Sequence, residues 1–339
     1  MPTSNTYSRY VIDRFGDVEA LRLQCDESLP SPGPAEVRIT ISASSVQFTD
    51  TIIRRGKYPD AGKPPIIPGY DFVGRIDALG AGVTTWSLGD RVADMCTIGA
   101  NASHIIRPAS DLTRVPDSLD AAEACALILS GVTAWQLLFR HAHVARGERI
   151  LVQGGNGGVG WFAVQFALSA GLHVWAAARS EHHAGLRALG ATPLDYRDPN
   201  YPAQLRTEAA GGVDWVVDGQ GADGFMPSLA CLRRGGKLVF IGASEAVNQG
   251  QSMIATGAKL LARNLIPWGP RIGLYSVTVM RKRHPEWFKE DLAKLFDKLE
   301  RKSVVVRIDR RIGFDGVPAA HRALQQGGVS GKIVLILEG

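Results

Sequence analysis

The chain has 339 residues, of which 45% are hydrophobic and 21% are charged. These values allow a large buried core, argue against wholesale disorder and favour two domains. The net charge of +5 favours anionic ligands only weakly. The densest basic run, residues 281–284, has no aromatic or groove-fitting element beside it, which argues against nucleic-acid binding.

Membrane and disulfide-rich classes are also disfavoured by the sequence. Residues 1–10 are polar and lack the apolar centre of a signal peptide. No apolar run approaches the roughly 20 residues that span a bilayer, so we expect a cytoplasmic protein without a membrane partner. The cysteines are far apart and form no CxxC pair, which disfavours disulfides and structural zinc. They are Cys25, Cys96, Cys125 and Cys231.

The first third of the chain is rich in β-branched residues, glycine and proline. Residues 37–42 alternate like a strand, and residues 72–78 and 91–95 are predicted as further strands. Glycine-containing turns around residues 80–82 and 88–90 separate them. The pattern predicts an irregular β domain.

From about residue 121 the pattern changes to alternating helices and strands. Residues 121–126 are helical in composition, and the predicted strands are 149–152, 172–177, 215–217 and 237–241. A helix is predicted over 161–170, with Gly171 at its end. Strands that alternate with helices indicate a parallel sheet.

The last stretch returns to mixed structure. A helix is predicted around 288–299, because its apolar residues recur on one face, and strands are predicted over 304–308 and 332–337. We therefore expect a nucleotide-binding domain inserted into a β-rich domain. The predicted boundaries are 1–121 for the first part of the β-rich domain, 122–264 for the inserted domain and 265–339 for the return.

The strongest single motif is a glycine-rich turn at residues 153–160. Gly155, Gly157 and Gly160 fit GxGxxG, with an apolar strand before them and a helix after them. Such glycines allow a tight turn, close approach of a pyrophosphate and close packing of helix on strand. The phosphates would then meet free N–H groups at the helix N-terminus, which include those of Gly158 and Val159.

The residues after the second strand favour NADPH over NADH. An NAD site places an acidic residue there to hold the ribose 2′-hydroxyl. Here residues 176–180 contain no acid, and Glu181 comes slightly late. Arg179 can pair with a 2′-phosphate and Ser180 can donate a hydrogen bond to it.

Several ordered motifs resemble the medium-chain dehydrogenase/reductase family, in its zinc-free quinone oxidoreductase branch and near the vesicle amine transport protein 1-like subgroup. The family implies an α/β fold, with a GroES-like β domain and a Rossmann doubly wound parallel sheet. It also implies an active site in the cleft between domains and a homodimer. The motifs lie at residues 47–50, 54–58, 68–71, 89–92, 131–134, 157–160, 195–197 and 331–334.

The resemblance also bears on the metal. Zinc members carry Cys, His and a later Cys where this chain has Gln47, Tyr70 and Ser130. Because catalytic zinc needs three ligands from Cys, His, Asp or Glu, we expect no metal. Hydride addition to a quinone or an enone spreads the negative charge, so hydrogen bonds and a proton source can replace the Lewis acid. The expected substrate is therefore a conjugated carbonyl compound.

The resemblance assigns roles to individual residues. Asp50 is expected to hold loop structure, and Tyr58 to donate a hydrogen bond or proton. With the turn residues and the NADPH determinants included, the predicted sites are catalytic Tyr58, Gln47 and Tyr70; cofactor-binding Thr133, Gly155, Gly157, Gly158, Val159, Gly160, Arg179, Ser180, Tyr196, Phe240, Gly242, Ser244 and Lys332; and Trp268, Arg271 and Tyr275 in a mobile substrate loop.

Two alternatives stay open. One is an enoyl-thioester, prostaglandin-type or specialised biosynthetic ene-reductase of the same superfamily, which would share the cofactor site. The other belongs to a different class, a protein that binds NADPH without turnover. The intact phosphate turn favours catalysis.

Overall fold

The structure is a computed structural model that describes residues 6–58, 61–221, 225–242, 252–266 and 269–337. The chain divides into two compact units. Unit 1 comprises residues 1–132 and 278–339, and unit 2 comprises residues 133–277. The second unit is thus an insertion in the first.

The strands are numbered along the chain. They are β1 (Thr6–Ile12), β2 (Leu21–Ser28), β3 (Glu36–Val46), β4 (Phe72–Leu79), β5 (Arg91–Asp94), β6 (His104–Pro108), β7 (Thr113–Arg114), β8 (Arg149–Gln153), β9 (His173–Ala178), β10 (Thr192–Asp195), β11 (Val213–Asp218), β12 (Leu232–Phe240), β13 (Arg271–Leu274), β14 (Ile308–Ile312) and β15 (Lys332–Ile336).

The helices are numbered in the same way. They are α1 (Phe48–Arg54), α2 (Ala121–Gln136), α3 (Gly158–Ser169), α4 (His183–Leu189), α5 (Tyr201–Glu208), α6 (Met226–Cys231), α7 (Met253–Leu261), α8 (Val277–Arg283), α9 (Pro285–Glu300) and α10 (Val317–Gln326).

Unit 1 is built on a seven-stranded sheet in the order β14-β15-β3-β4-β5-β7, with β6 also paired to β3. Val37, Ile39 and Ile41 are fully buried while their neighbours are half-exposed, as alternation along a strand requires. The end of β3, by contrast, is buried on both faces and leads directly into α1. The irregular β domain predicted from the sequence is confirmed.

Unit 2 is built on a six-stranded sheet in the order β10-β9-β8-β11-β12-β13. All of its strand pairs are parallel. Numbered within the unit, this is the order 3-2-1-4-5-6 of the doubly wound dinucleotide-binding fold. β11 is buried along its whole length, because helices cover both faces of such a sheet. The predicted Rossmann architecture is therefore confirmed.

One predicted strand is wrong and one predicted helix is right. The stretch 304–308 was expected as a strand, but β14 begins only at Ile308, which lies opposite Lys332. Its partner β15 begins at Lys332, so earlier residues have no strand to pair with, and Val305 is 55% exposed. The apolar face predicted for 288–299 is confirmed in α9, whose Phe288, Leu292, Leu295, Phe296 and Leu299 are buried.

The stretch Ala121–Ala142 contradicts the expectation that no apolar run is long enough to span a bilayer. By length and composition it could cross a membrane, and 78% of its most apolar window is buried inside the protein. Inspection of the sequence missed it because Glu123, Ser130 and Gln136 interrupt an otherwise apolar stretch. A buried core helix satisfies the same length and hydropathy test.

Candidate active site

The glycine turn joins β8 to α3. The left-handed residue of the turn is Gly154 (φ +67°), one position before the first glycine of the motif. Gly160 permits close packing, because a Cβ there would lie 2.1 Å from the Gly154 carbonyl oxygen. The backbone of α3 therefore lies directly against the end of β8, as the motif predicts.

Gly157 is different, because no crowding inside the protein explains it. A Cβ at this position would meet only the Gly154 carbonyl oxygen, at 3.3 Å. Gly157 caps α3 and offers no side chain to its first turn. Among the described residues, the N–H groups of Gly158, Val159 and Gly160 have no acceptor. Open space beside unpaired N–H groups at a helix N-terminus suits a phosphate.

Polar side chains gather where β9 and β10 end. Arg179 directly follows β9 and pairs with Glu181 at 3.0 Å. Arg197 follows β10, donates to the Ser180 hydroxyl at 3.3 Å and pairs with Asp195 at 2.9 Å. Because Arg197 binds it, the pKa of Asp195 is lowered to about 2. Two guanidinium groups and a hydroxyl thus lie at the edge where an adenosine ribose binds in this fold.

The other predicted cofactor residues differ in their exposure and contacts. Thr133 is 6% exposed, and its hydroxyl has no hydrogen-bond partner among the described residues. Tyr196 is 48% exposed, whereas the ring of Phe240 packs in the core against Phe225, with centroids 5.1 Å apart. Gly242 follows β12. Two predicted residues, Ser244 and Trp268, lie outside the described residues.

Three hydroxyl groups form a chain in unit 1. The Tyr58 and Tyr70 hydroxyls lie 2.9 Å apart, and the Tyr70 hydroxyl lies 2.8 Å from that of Thr278. Tyr70 is 2% exposed, and this burial raises its pKa well above its usual range, so its hydroxyl keeps its proton. Tyr58 is half-buried and is therefore the most accessible of the three hydroxyl groups. Tyr58 is therefore the member of the three that can exchange its proton with solvent, while Tyr70 and Thr278 hold its hydroxyl in place.

Gln47, the third predicted catalytic residue, makes a different set of contacts from Tyr58 and Tyr70. Its Nε2 donates to the Ser45 hydroxyl at 2.7 Å and to Asp71 at 2.9 Å. Asp71 also accepts hydrogen bonds from the Ser45 hydroxyl and from the Leu129 N–H at 3.1 Å. Asp71 is fully buried, and burial raises its pKa. The amide of Gln47 is therefore held by a buried carboxyl group.

Lys332 and Asp50 complete this interior cluster. Lys332 is 5% exposed, and burial lowers its pKa, while the nearby Asp71, Cys125 and Asp50 oppose the change. Asp50 is fully buried and accepts from the N–H groups of Gln47 (2.7 Å) and Gly69 (3.0 Å). These contacts fix the start of α1 and match the structural role expected of Asp50.

The three former metal-ligand positions do not suit zinc. The Gln47 amide binds Ser45 and Asp71, the Tyr70 hydroxyl binds Tyr58 and Thr278, and Ser130 is buried. An amide and a neutral phenol are poor zinc ligands. No group of three His, Cys, Asp or Glu side chains suited to a metal occurs in the part of the chain that the structure describes. A zinc-free site stays a prediction that rests on these donor types.

The expected substrate loop is partly replaced by regular structure. Arg271 begins β13, the edge strand of the six-stranded sheet, instead of lying in a loop. Tyr275 follows this strand, is 2% exposed, and donates its hydroxyl to Gln136 at 2.9 Å. The loop reading was wrong here because the short run 271–274 pairs with β12, which no local pattern indicates. A substrate role for either residue stays a prediction.

Sequence reasoning missed two contributors to the site. Thr278 touches Tyr70 although 208 positions separate them, so no local motif signals it. The other is Asp71, the carboxyl group to which Gln47, Ser45 and Leu129 donate. An acidic residue inside an apolar stretch at the start of β4 was the available signal for Asp71.

Two family models match separate parts of the chain. Residues 33–117 match the alcohol dehydrogenase GroES-like domain. Residues 189–335 match a domain described as zinc-binding dehydrogenase. With the doubly wound sheet and its glycine turn, these matches define a dehydrogenase/reductase of the medium-chain class. The donor atoms described above do not support the metal in the second description.

Comparison with individual relatives identifies the branch of the family to which the chain belongs. A quinone oxidoreductase of Pseudomonas aeruginosa is 31% identical over 326 residues, which cover 95% of this chain and 97% of that protein. A mycocerosic acid synthase-like polyketide synthase of Mycobacterium tuberculosis is 32% identical over 287 residues, 83% of this chain. The matched region is only 13% of that longer protein. The chain belongs to the quinone oxidoreductase-like branch of the medium-chain dehydrogenase/reductase family, which confirms the resemblance.

A solved structure supports the same assignment. The structure of mycobacterial Rv1454c complexed with NADPH superimposes with a TM-score of 0.83 at 30% identity, covering 97% of this chain and 99% of that one. Both units of the present chain thus have counterparts in a nicotinamide-bound relative.

Alanine at Gly160 and alanine at Gly157 are expected to affect different properties, stability in the first case and dinucleotide binding in the second. Gly160→Ala places a methyl group 2.1 Å from the Gly154 oxygen, so we expect a loss of about 1–3 kcal/mol in stability. Gly157→Ala should fold normally and weaken dinucleotide binding. Thermal unfolding and calorimetric titration of each variant test this; equal stability of the two variants would contradict the packing argument.

Asp50 makes a pH-dependent contribution to stability. Burial raises its pKa to about 7 from 3.8, so the folded state keeps a proton that the unfolded chain has lost. The stability contributed by this proton falls as pH rises from about 4 to about 7. Asp50→Asn should flatten the slope of unfolding free energy by up to about 1.4 kcal/mol per pH unit. Urea titrations across this range measure the slope, and exposed Asp26→Asn is the control; parallel slopes for all three proteins would refute the assignment.

Proposed function

We propose that this chain catalyses NADPH-dependent, zinc-independent reduction of a conjugated carbonyl compound, a quinone or an α,β-unsaturated ketone. The observation that carries the proposal is the row of hydroxyl groups from Thr278 through Tyr70 to Tyr58, in which Tyr70 stands where zinc members of the family carry a metal ligand. The similarity to a quinone oxidoreductase over nearly the full length supports the same substrate class.

The preference for NADPH rests on the charges after β9 and β10. Arg179 and Arg197 are both held near Ser180, and each is paired with an acidic residue. A 2′-phosphate carries more charge than Glu181 and would compete with it for Arg179. The unpaired N–H groups at the start of α3 would meet the pyrophosphate. The NADPH bound to mycobacterial Rv1454c agrees with this preference.

The hydroxyl chain would supply the proton of the reaction. When bound, NADPH provides a hydride that adds to the conjugated system and leaves negative charge spread towards the carbonyl oxygen. Tyr58 would donate a hydrogen bond to that oxygen and then a proton. Tyr58, the more accessible hydroxyl, would regain its proton from solvent, while Tyr70, whose pKa is raised by burial, would stay protonated and hydrogen-bonded to the Tyr58 oxygen. A quinone gives the hydroquinone, and an enone gives the enol, which tautomerises to the saturated ketone.

Conjugated substrates suit this site better than simple ketones do. Reduction of a simple ketone concentrates charge on one oxygen, which a Lewis acid stabilises by several kcal/mol. The phenol of Tyr58 offers a hydrogen bond instead. An acceptor that already delocalises the charge needs less help from the protein.

A second candidate is reduction of an enoyl thioester. The similarity to mycocerosic acid synthase-like polyketide synthases, at 32% identity over 287 residues, favours it. The chemistry is the same hydride addition to a conjugated carbonyl, with a thioester in place of a ketone. NADPH oxidation with quinones, enones and enoyl thioesters, followed by product identification, separates the two. Tight NADPH binding without turnover of any acceptor would instead indicate a non-catalytic binding protein.

Cofactor discrimination can be tested with single substitutions. Arg179→Ala should weaken NADPH binding about tenfold or more and leave NADH binding unchanged, because only NADPH carries the phosphate. Glu181→Gln should strengthen NADPH binding, since it frees Arg179. Arg187→Ala, on the exposed face of α4, is the matched control. Calorimetric titration with both cofactors measures these effects; tighter binding of NADH than NADPH, unaffected by Arg179→Ala, would overturn the preference.

The proton donor can be tested in the same assay. Tyr58→Phe should lower kcat with an enone roughly 100-fold while NADPH affinity stays unchanged, since general acid catalysis contributes about 10²–10⁴. Tyr70→Phe should lower kcat less, because it removes only a hydrogen bond to the Tyr58 hydroxyl. Tyr7→Phe, in β1, serves as the control. If Tyr58→Phe keeps the wild-type kcat and its pH profile, the hydroxyl chain is not the proton source.

A further inference from the structure

Arg54 is a fully buried cation without a carboxylate partner. It is the last residue of α1 and has no solvent exposure. Its Nη2 donates to the side-chain oxygen of Gln325 at 2.8 Å, whereas Nε and Nη1 have no hydrogen-bond partner among the described residues. Buried guanidinium groups are normally paired, because leaving one unpaired costs several kcal/mol.

His321 lies one helical turn before Gln325 in α10 and is also unsatisfied. It is fully buried in α10, and neither ring nitrogen has a hydrogen-bond partner in the described part of the chain. Burial, and then the charge of Arg54, lower its pKa to about 3, so the ring is neutral at pH 7. Two buried side chains thus leave four nitrogen atoms without partners.

The surrounding carboxylates do not neutralise Arg54. Asp17 and Glu19 act on it from a distance, and Arg55 and Arg322 oppose them. Glu19 instead pairs with Arg322 at 3.6 Å. Within the described residues no carboxylate oxygen lies within 4 Å of Arg54. One positive charge is therefore left inside the protein, between α1 and α10.

Two elements of unit 1 pack against α10 beside Arg54. α10 packs against α1 and against the short turn Val18–Ala20. The ring of Phe15 packs over Gly56, two residues after Arg54, where a Cβ would lie 2.8 Å from the ring. Phe15 itself is 42% exposed. Phe15, Asp17 and Glu19 are exposed, so this segment lies at the surface of unit 1.

We propose that Arg54 and His321 bind a small monovalent anion such as chloride inside unit 1. The anion would accept hydrogen bonds from the guanidinium and from the N–H of the neutral imidazole. Its single charge matches the single unpaired cation. The other ring nitrogen is an acceptor, which an accompanying water would meet. The site is separate from the hydroxyl chain and would stabilise the packing of α10 on α1.

Chloride-dependent stability tests the site. The full-length protein is unfolded thermally in chloride and in gluconate, which is too large for the site, at equal ionic strength. An anion that binds only the folded state should raise the Tm by about 2–3 °C for each tenfold increase in chloride above its dissociation constant. Arg54→Gln and His321→Gln should lose this chloride-specific increase. Arg322→Gln, next to His321 but exposed, removes the same charge as Arg54→Gln and should keep it.

Bromide provides a direct readout that does not depend on the folding of a variant. Crystals of the wild-type protein soaked in bromide should show an anomalous scattering peak within hydrogen-bond distance of Arg54 and His321. Two results would overturn the proposal. One is an equal Tm in chloride and gluconate for the wild-type protein. The other is ordered water, without anomalous signal, at the four nitrogen atoms.

Discussion

The buried carboxyl group of Asp71 is the contact on which the candidate site of unit 1 depends. It accepts hydrogen bonds from the end of β3, from the start of α1 and from α2, through Ser45, Gln47 and Leu129. Lys332, from the far end of the chain, is the cation that acts most strongly on the Asp71 carboxyl group. A polar group that satisfies so many donors in a dry interior fixes their relative positions. The position of Gln47 is therefore determined by the fold and not by a substrate.

Most of the architecture could be predicted from the sequence, because the patterns involved are local. The alternation in β3, the apolar face of α9 and the strand–glycine–helix order around Gly157 each depend on neighbouring residues. The predictions failed where long-range pairing decides. β14 begins where β15 offers a partner, and Arg271 joins a sheet edge that no local pattern indicates.

The candidate site divides in the same way. The glycine turn and Arg179 could be predicted as candidates from spacing alone, since the prediction depends only on the order of strand, turn and helix. Thr278 could not, because only the fold brings it to Tyr70. Likewise, the sequence shows that Arg54 and His321 are polar but not that both are buried without partners. Unsatisfied groups can be recognised only when all neighbours are placed in three dimensions.

The position of Thr278 has a practical consequence for protein engineering. Unit 2 ends at residue 277, so the threonine is the first residue after the inserted unit. Exchanging residues 133–277 for the corresponding segment of a relative would transplant the dinucleotide determinants while both tyrosines and this threonine stay in the host. Chimeras joined at these two points would therefore let cofactor choice and acid chemistry be varied independently, each inherited from a different parent.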